Sequence, residues 1–335
     1  MSQARTRRSV ARSLAAMHAL ALNPGRAVAQ PDPAATPYRP ARMIVPWSPA
    51  SWPDIAASVF TDRLARRRGH PIAVDNREGA MGAVAGHAFM QARPGEALFF
   101  GTGDLMTMAG LTEPATPFAD RAGFLPISTM ATDFMMVSVP ASLPVRSLAE
   151  FVDHARARPG ALNWHAMPGT ALWIAFNAFL LRAGVEAPFT PVRGLAMAEV
   201  AEGRIHATLQ PLAVTLPFAR KGSVRMLATP SRARAAAAPG IPTAAEAGFP
   251  EFWAEGLLGV FGWRGMHDAA REEFSAEARA VLAEPALAER YAAAGLLARG
   301  STPAAFEVEL DRHRARWTAL AREFGAKPNA RAEVF

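Results

Sequence analysis

From Tyr38 onward, short apolar runs alternate with longer amphipathic ones. Met43-Ile44-Val45 reads as a strand, Asp54 to Arg67 as a helix, Ile72-Ala73-Val74 as a strand, Gly82 to Ala92 as a helix, and Ala97-Leu98-Phe99-Phe100 as a strand. That order predicts a parallel sheet wrapped by helices. A strand at Met135 to Pro140 follows, then a helix from Leu148 to Ala157 with Ser147 as its N-cap. A second alternating unit comes next: strand Leu162 to His165, helix Ala171 to Ala183, strand Phe189 to Val192, helix Ala196 to Glu202, strand Ile205 to Leu209 and strand Val224 to Ala228. The last third predicts helices over Asp268 to Leu282, Pro285 to Ala294 and Pro303 to Phe324. The Ala/Arg run from Ser231 to Ala238 fits a loop or a short solvated helix.

A chain of 335 residues fits two compact domains, and its 50% hydrophobic content supplies a core for each. The net charge of +7 raises a nucleic-acid reading, but residues 1–29 carry five arginines and no acid, which leaves only +2 for the rest. No nucleic-acid-binding motif follows, so no nucleic-acid partner is expected. The basic segment reads as an export signal. It has a basic stretch to Arg12, an apolar stretch from Ser13 to Leu22, and Ala27-Val28-Ala29 before Gln30, with cleavage expected near Ala29. The apolar stretch is too short to span a bilayer, which takes about 20 apolar residues. The reading is therefore a periplasmic protein with a linker over 30–37, against the alternative of a basic tail on a cytoplasmic one. Thr6-Arg7-Arg8 fits a twin-arginine route as well as the general secretory one. There is no cysteine, which excludes disulfides and thiol chemistry.

The eight histidines show no metal-binding spacing, and no nucleophile elbow, P-loop or dinucleotide fingerprint is present. No metal and no cofactor are expected. Four loops instead each join a strand to a helix: Pro46 to Asp54, Asn76 to Gly82, Gly101 to Asp104, and Met167 to Thr170. Ligands of open α/β sheets bind at such strand ends, where helix N-termini offer free N–H groups to anions. A small carboxylate is the default ligand, set against glycines that merely permit tight turns.

Six segments carry a resemblance, in order, from about residue 38 to 327. They are Tyr38-Arg39-Pro40-Ala41-Arg42-Met43-Ile44-Val45-Pro46, Asn76-Arg77-x-Gly79-Ala80-x-Gly82, Leu143-Pro144-Val145-Arg146-Ser147-Leu148, Pro159-Gly160-x-Leu162-Asn163, Ile241 to Pro250, and Ser301-Thr302-Pro303-x-x-Phe306. The chain resembles the substrate-binding receptors of tripartite tricarboxylate transporters, the Bug family. The Pro-Thr-x-x-Glu-x-Gly-x-Pro segment within 241–250 is the most specific of the six. The resemblance implies an α/β, type II periplasmic-binding-protein fold, with two lobes joined by a two-segment hinge around a ligand cleft. Lobe 1 would hold 38–132 and 255–327, lobe 2 133–254, with a C-terminal tail at 328–335. It also implies a monomeric receptor without catalytic role that delivers a small organic acid to membrane permease subunits.

The positions that resemble the family's ligand loops are Trp47, Ser48, Ser51, Trp52 and Asp54 in the first loop and Gly79, Ala80, Met81 and Gly82 in the second. Thr102 and Gly103 form the third, Gly169, Thr170 and Ala171 the fourth, and Gln210 stands on a strand of the other lobe. Several depart from the family pattern. Ala50-Ser51-Trp52-Pro53-Asp54 replaces a glycine-rich run, Glu78 a proline, Ala171 a serine, and His206 and Gln210 two aspartates. Pro53 has no N–H to donate. Trp52, with Trp47, either stacks on a carboxylate with an aromatic or apolar body, with Gln210 adding an amide contact, or packs on the neighbouring helix while Ser51 and Asp54 form a capping box. Alternative functions are a sensor that signals to a membrane partner and an exported hydrolase.

Overall fold

The computed structural model describes residues 39–112, 116–192 and 195–324. The expected export signal, the linker and the tail at 328–335 lie outside the described residues.

The first sheet has six strands in the order β10-β4-β9-β3-β1-β2. They are β1 (Arg42–Val45), β2 (Ala73–Asn76), β3 (Ala97–Thr102), β4 (Leu125–Asp133), β9 (Gly256–Gly262) and β10 (Leu296–Ala298). The second sheet, in the order β6-β7-β5-β8, contains β5 (Met135–Pro140), β6 (Trp164–His165), β7 (Ala207–Pro211) and β8 (Val224–Ala228). The chain leaves the first sheet at Asp133, enters the second at Met135, and returns at Gly256.

The helices α1 (Trp52–Arg68), α2 (Ala83–Gln91), α4 (Leu148–Arg156), α5 (Ala171–Arg182), α6 (Met197–Ala201), α8 (Asp268–Leu282), α9 (Pro285–Ala293) and α10 (Pro303–Glu323) fall close to the predicted spans. Ser147 caps α4 as expected, accepting a 3.1 Å bond from the Glu150 N–H. The turn chemistry of Thr243 and Glu246 is also explained. The Glu246 carboxylate accepts the Thr243 N–H at 2.8 Å, the Thr243 hydroxyl accepts the Glu246 N–H at 3.1 Å, and Arg234 holds the same carboxylate at 2.8 Å.

The predicted parallel sheet is found for the first three strands, but later strands make the sheet mixed. β1 pairs β2 and β3 in parallel, but β9 lies antiparallel between β3 and β4, and β10 antiparallel to β4. In the second sheet only β6 and β7 are parallel. β9 escaped the sequence reading because Gly256, Gly259 and Gly262 dilute its apolar run, as glycine weakens a strand signal. Gly259 has a packing reason. A Cβ there would lie 2.1 Å from the Phe306 ring. The expected strand at Phe189–Val192 reduces to a single bridge from Phe189 to Trp164. The run at 231–238 forms no helix. Helices α3 (Gly103–Thr112) and α7 (Leu212–Arg220) also went unpredicted, the second because Pro217 stands inside it.

Burial accounts for how these elements are held. One face of the first sheet packs Met43, Phe60, Phe100, Val260, Phe274 and Tyr291, and the other packs Ile44, Phe89, Phe99, Phe118, Phe261 and Phe306. The second sheet buries Val137, Val139 and Leu209 under Phe151 of α4 and Ile174 and Phe176 of α5. α10 belongs to both. Its Phe306 and Leu310 pack on the first core, while Trp317 and Leu320 pack on the second. Burying a large side chain fully contributes about 1.5–3 kcal/mol, so this one helix ties the two sheet units together through four such residues.

Candidate functional site

The first three predicted loops are brought together at the carboxyl ends of β1, β2 and β3. Asp54, in the first turn of α1, is the hub. Its Oδ2 accepts the Ala50 N–H at 2.8 Å and its Oδ1 the Asn76 amide at 2.7 Å, while that amide also donates to the Trp47 carbonyl at 2.9 Å. The Ser48 hydroxyl donates to Glu78 at 2.7 Å. Ser51 does not make the expected capping box. Its hydroxyl donates to the Ser48 carbonyl at 2.7 Å, and Asp54 reaches Ala50 instead of the helix end. Trp47 and Trp52 are half-buried, packed on the first-sheet core beside α1.

The second loop is backbone-strained. Gly79, Ala80, Met81 and Gly82 all have positive φ, at 128°, 46°, 52° and 88°. Alanine and methionine rarely adopt this region, and such strain gathers at ligand-contacting segments. Met81 remains 46% exposed, so no burial of its side chain offsets the strain. Gly82 sits where a Cβ would press on Pro46 and Leu105 at 3.2–3.3 Å, which locks this loop against the first loop and the start of α3. Thr102 closes β3 opposite Leu258, and Gly103 opens α3 with its Cα against Leu257.

The fourth loop opens α5 on the second sheet. Gly169 turns the chain with φ 70°, and Thr170 is the N-cap, its hydroxyl donating to the Met167 carbonyl at 2.7 Å and accepting the Trp173 N–H at 3.5 Å. The Ala171 N–H lies near enough to the carboxyl of Asp104, in the first turn of α3, to favour its charged form. The third loop therefore comes beside the fourth at the α5 N-terminus.

Gln210 is not brought to this point. It pairs with Met136 across the β5/β7 ladder and so shares that residue's face, where Met136 packs with Leu212 and Leu216, whereas α5 covers the opposite face. It is 1% exposed and both of its amide atoms lack a hydrogen-bond partner.

Two acids stand out that the sequence reading did not single out. Burial raises the Asp104 carboxyl from its ordinary 3.8 to about 6, against the lowering effect of the Ala171 N–H. Asp133, the last residue of β4, is pushed well above the usual carboxylate range, first by burial and then by the neighbouring charge of Asp104. The available signal was Asp104 following Gly103 at a strand-to-helix junction. Asp133 gave none, since β4 itself was unpredicted. Among the described residues no group of three His, Asp or Glu side chains could hold a metal ion.

Comparison with known proteins fits this architecture. Residues 56–315 match the model of the tripartite tricarboxylate transporter family receptor. The protein BugT of Bordetella pertussis is 28% identical over 297 residues, covering 87% of this chain and 91% of its own length. A protein encoded in the tcbD-tcbE intergenic region of Pseudomonas sp. strain P51 is likewise 28% identical, covering 88% of this chain and 89% of its own. Among solved structures, R. palustris Rpa4515 with adipate superposes with a TM-score of 0.77 at 26% identity, covering 86% of this chain and 98% of that one. MatC from Rhodopseudomonas palustris with bound malate has the same fold, with a TM-score of 0.70 at 23% identity over 85% of this chain and 99% of that one. Two α/β units of the type II periplasmic-binding-protein fold, four loops at strand-to-helix junctions and a family match over most of the length lead to one conclusion: the chain belongs to the tripartite tricarboxylate transporter receptor family of periplasmic solute-binding proteins.

Proposed function

We propose that this chain binds a small organic carboxylate between two lobes and presents it, by lobe closure, to the permease subunits of a tripartite tricarboxylate transporter. It acts as an exported monomer without catalytic role, freed of its signal near Ala29. The lobes are 38–132 with 255–327, and 133–254, hinged where the chain passes from Asp133 to Met135 and back at Gly256. The observation that carries the reading is the meeting of loops from both sheets, with the strained run Gly79 to Gly82 on one side and the α5 N-terminus on the other. Rpa4515, bound to adipate, and MatC, bound to malate, support the ligand class.

In this reading the ligand contacts come from Trp47, Ser48, Ser51, Trp52, Asp54, the Gly79 to Gly82 backbone, Thr102, Gly103 and the Gly169 to Ala171 turn. Gln210, which lies on the sheet face away from α5, is left out of the contacts. The half-exposed Trp47 and Trp52 supply an apolar wall, which favours an acid with an aromatic or apolar body. A thermal-shift screen with mono-, di- and tricarboxylates, aromatic and amino-substituted acids included, tests this. A ligand at a hundredfold excess over its Kd adds about 2.7 kcal/mol to the folded state, a rise of roughly 4 °C for a chain of this size. A midpoint unmoved by every acid would sink the receptor reading.

A further inference from the structure

The segment at 241–250 carries the most specific part of the family resemblance, yet none of the four strand-to-helix loops uses it. Its turn, closed by Thr243 and Glu246, leads into Gly248, Phe249 and Pro250. These three face the half of α5 remote from its Thr170 cap, together with the end of α10. Between them lies a cavity of about 220 Å³.

One side of the cavity is aromatic. Phe179 and Phe252 stack with ring centroids 4.2 Å apart, and Phe249 meets Phe179 edge-on at 5.4 Å. Ala175 and Ala178 line the space beside these rings with nothing larger than a methyl group. The other side is cationic, with Arg156, Arg182 and Arg316 set against a single lining acid, Glu251. Arg182 pairs with Glu323 at 2.8 Å, while Arg156 donates to the Ala183 carbonyl at 2.7 Å and lies 4.0 Å from Asp153. Arg316 donates to the carbonyls of Glu251 and Trp253 at 3.2 and 3.0 Å, and its buried Nε has no acceptor. Neutral carbonyls leave a guanidinium charge uncancelled, and burial and then Arg182 both disfavour that charge. A carboxylate brought to the three arginines offsets this repulsion and accepts from their forked donors.

Size selects the rest of the ligand. A dry cavity of about 150 Å³ takes up benzene, whereas sites for larger ligands run from about 300 Å³ upward. The space here suits one ring with a short acidic arm.

We propose that this cavity is a second binding site, distinct from the loops at the first-sheet strand ends, for a monocyclic aromatic carboxylate. The ring lies on Phe179, Phe249 and Phe252, and the carboxylate on the arginines. The site stands whether or not the inter-lobe cleft binds an acid.

The test uses phenylacetate as probe and reads the indole N–H signals of the seven tryptophans in the isotope-labelled chain. Trp253 reports this cavity because the Arg316 guanidinium lies over its ring at 4.9 Å, whereas Trp47 and Trp52 report the first loop. Single tryptophan-to-phenylalanine variants assign the signals. The expected result is a saturable shift of Trp253 with phenylacetate and an affinity at least tenfold lower for benzylamine and benzyl alcohol. Replacing the two exposed arginines together, Arg156→Gln with Arg182→Gln, is expected to weaken phenylacetate tenfold or more, and Phe249→Ala at least threefold. A shift confined to Trp47 and Trp52 overturns the second site and leaves the carboxylate receptor standing. No shift of any tryptophan, or benzylamine binding as tightly as phenylacetate, also overturns it, and the thermal-shift screen judges the cleft separately. A Trp253 titration unchanged by the arginine and Phe249 substitutions overturns the assigned contacts. The Trp253 response of the unmodified chain decides even if one variant fails to fold.

Discussion

Asp54 and Asp133 are both buried near strand ends of the same sheet, yet their surroundings are opposite. Asp54, 7% exposed, is the acceptor for the Ala50 N–H and the Asn76 amide and so holds the first two loops in one arrangement. Asp133, 2% exposed, has an oxygen with no partner and a second acid, Asp104, beside it. The difference separates a buried carboxylate that holds loops together from one left with an unmet oxygen. Satisfied hydrogen bonds to a buried charge each contribute about 1.5–3 kcal/mol to stability, whereas an unmet one costs stability and persists where function requires it.

Removing the satisfied acid is expected to have the largest effect. Asp54→Ala strands the Ala50 N–H and the Asn76 amide and should lower unfolding stability by about 2–4 kcal/mol, read as a lower midpoint in urea. A loss below about 0.5 kcal/mol would remove Asp54 from its place as the hub of the loops.

Asp104, a buried acid raised by desolvation, should behave in the opposite sense, and pH reveals it. The folded chain holds a proton on Asp104 up to about pH 6, while the unfolded chain releases it near 3.8. The unfolded state therefore binds fewer protons between these values, so the contribution of this group to stability falls as pH rises from about 4 to about 6 and stays lost above. The size is about 1–3 kcal/mol. His313, whose buried ring is held down to about 4 by desolvation and by surrounding arginines, runs the other way, gaining stability from about pH 4 to 6.5. The effect is thus read as the difference between wild type and Asp104→Asn across that range, with Asp104→Asn relatively more stable at pH 7.5 than at pH 4. A flat difference would mean the carboxyl is not perturbed.

Gly256→Ala probes the space beside Asp133. The new methyl would meet the Met135 Cε at 2.6 Å and the Asp133 Cβ at 2.8 Å, so a loss of about 1–3 kcal/mol is expected from overpacking. An unchanged melting midpoint would show that this wall yields freely.

On the satisfied side, smaller changes sharpen the contrast. Met81→Gly relieves a left-handed methionine whose side chain is largely solvent-exposed, and should raise stability by about 0.5–1 kcal/mol. If strain in this loop serves binding, the same variant should bind acids more weakly. Ser48→Ala removes an exposed hydrogen bond to Glu78 and should change stability by under about 0.5 kcal/mol.

Much of this was legible in the sequence, and the parts that were not have physical reasons. The early strand and helix alternation, the Ser147 cap and the Gly79 to Gly82 loop could be read because periodicity, cap chemistry and glycine placement are local signals. The mixed sheet could not, because β9 arrives from the far end of the chain, and Gly256 and Gly259 answer to Asp133 and Phe306, residues distant in sequence. The four loops were found as strand-to-helix junctions, but their content was not. Ser51 and Asp54 form an S-x-x-D pattern that suggests a capping box, yet Asn76 and Ala50 compete for the same carboxylate and win it. Asp104 and Ala171 come near each other from loops about sixty-seven positions apart, and nothing in either segment announces it.

The claim that two lobes close on a small acid is tested most directly by a distance across them. Because the chain has no cysteine, His87→Cys on α2 and Glu202→Cys at the end of α6 would be its only two thiols and can carry paired spin labels. The account predicts that an acid which raises the melting midpoint also shifts and narrows the distance distribution, and that a non-binding acid leaves it alone. A distribution unchanged by an acid that binds would contradict closure as the way this receptor presents its ligand.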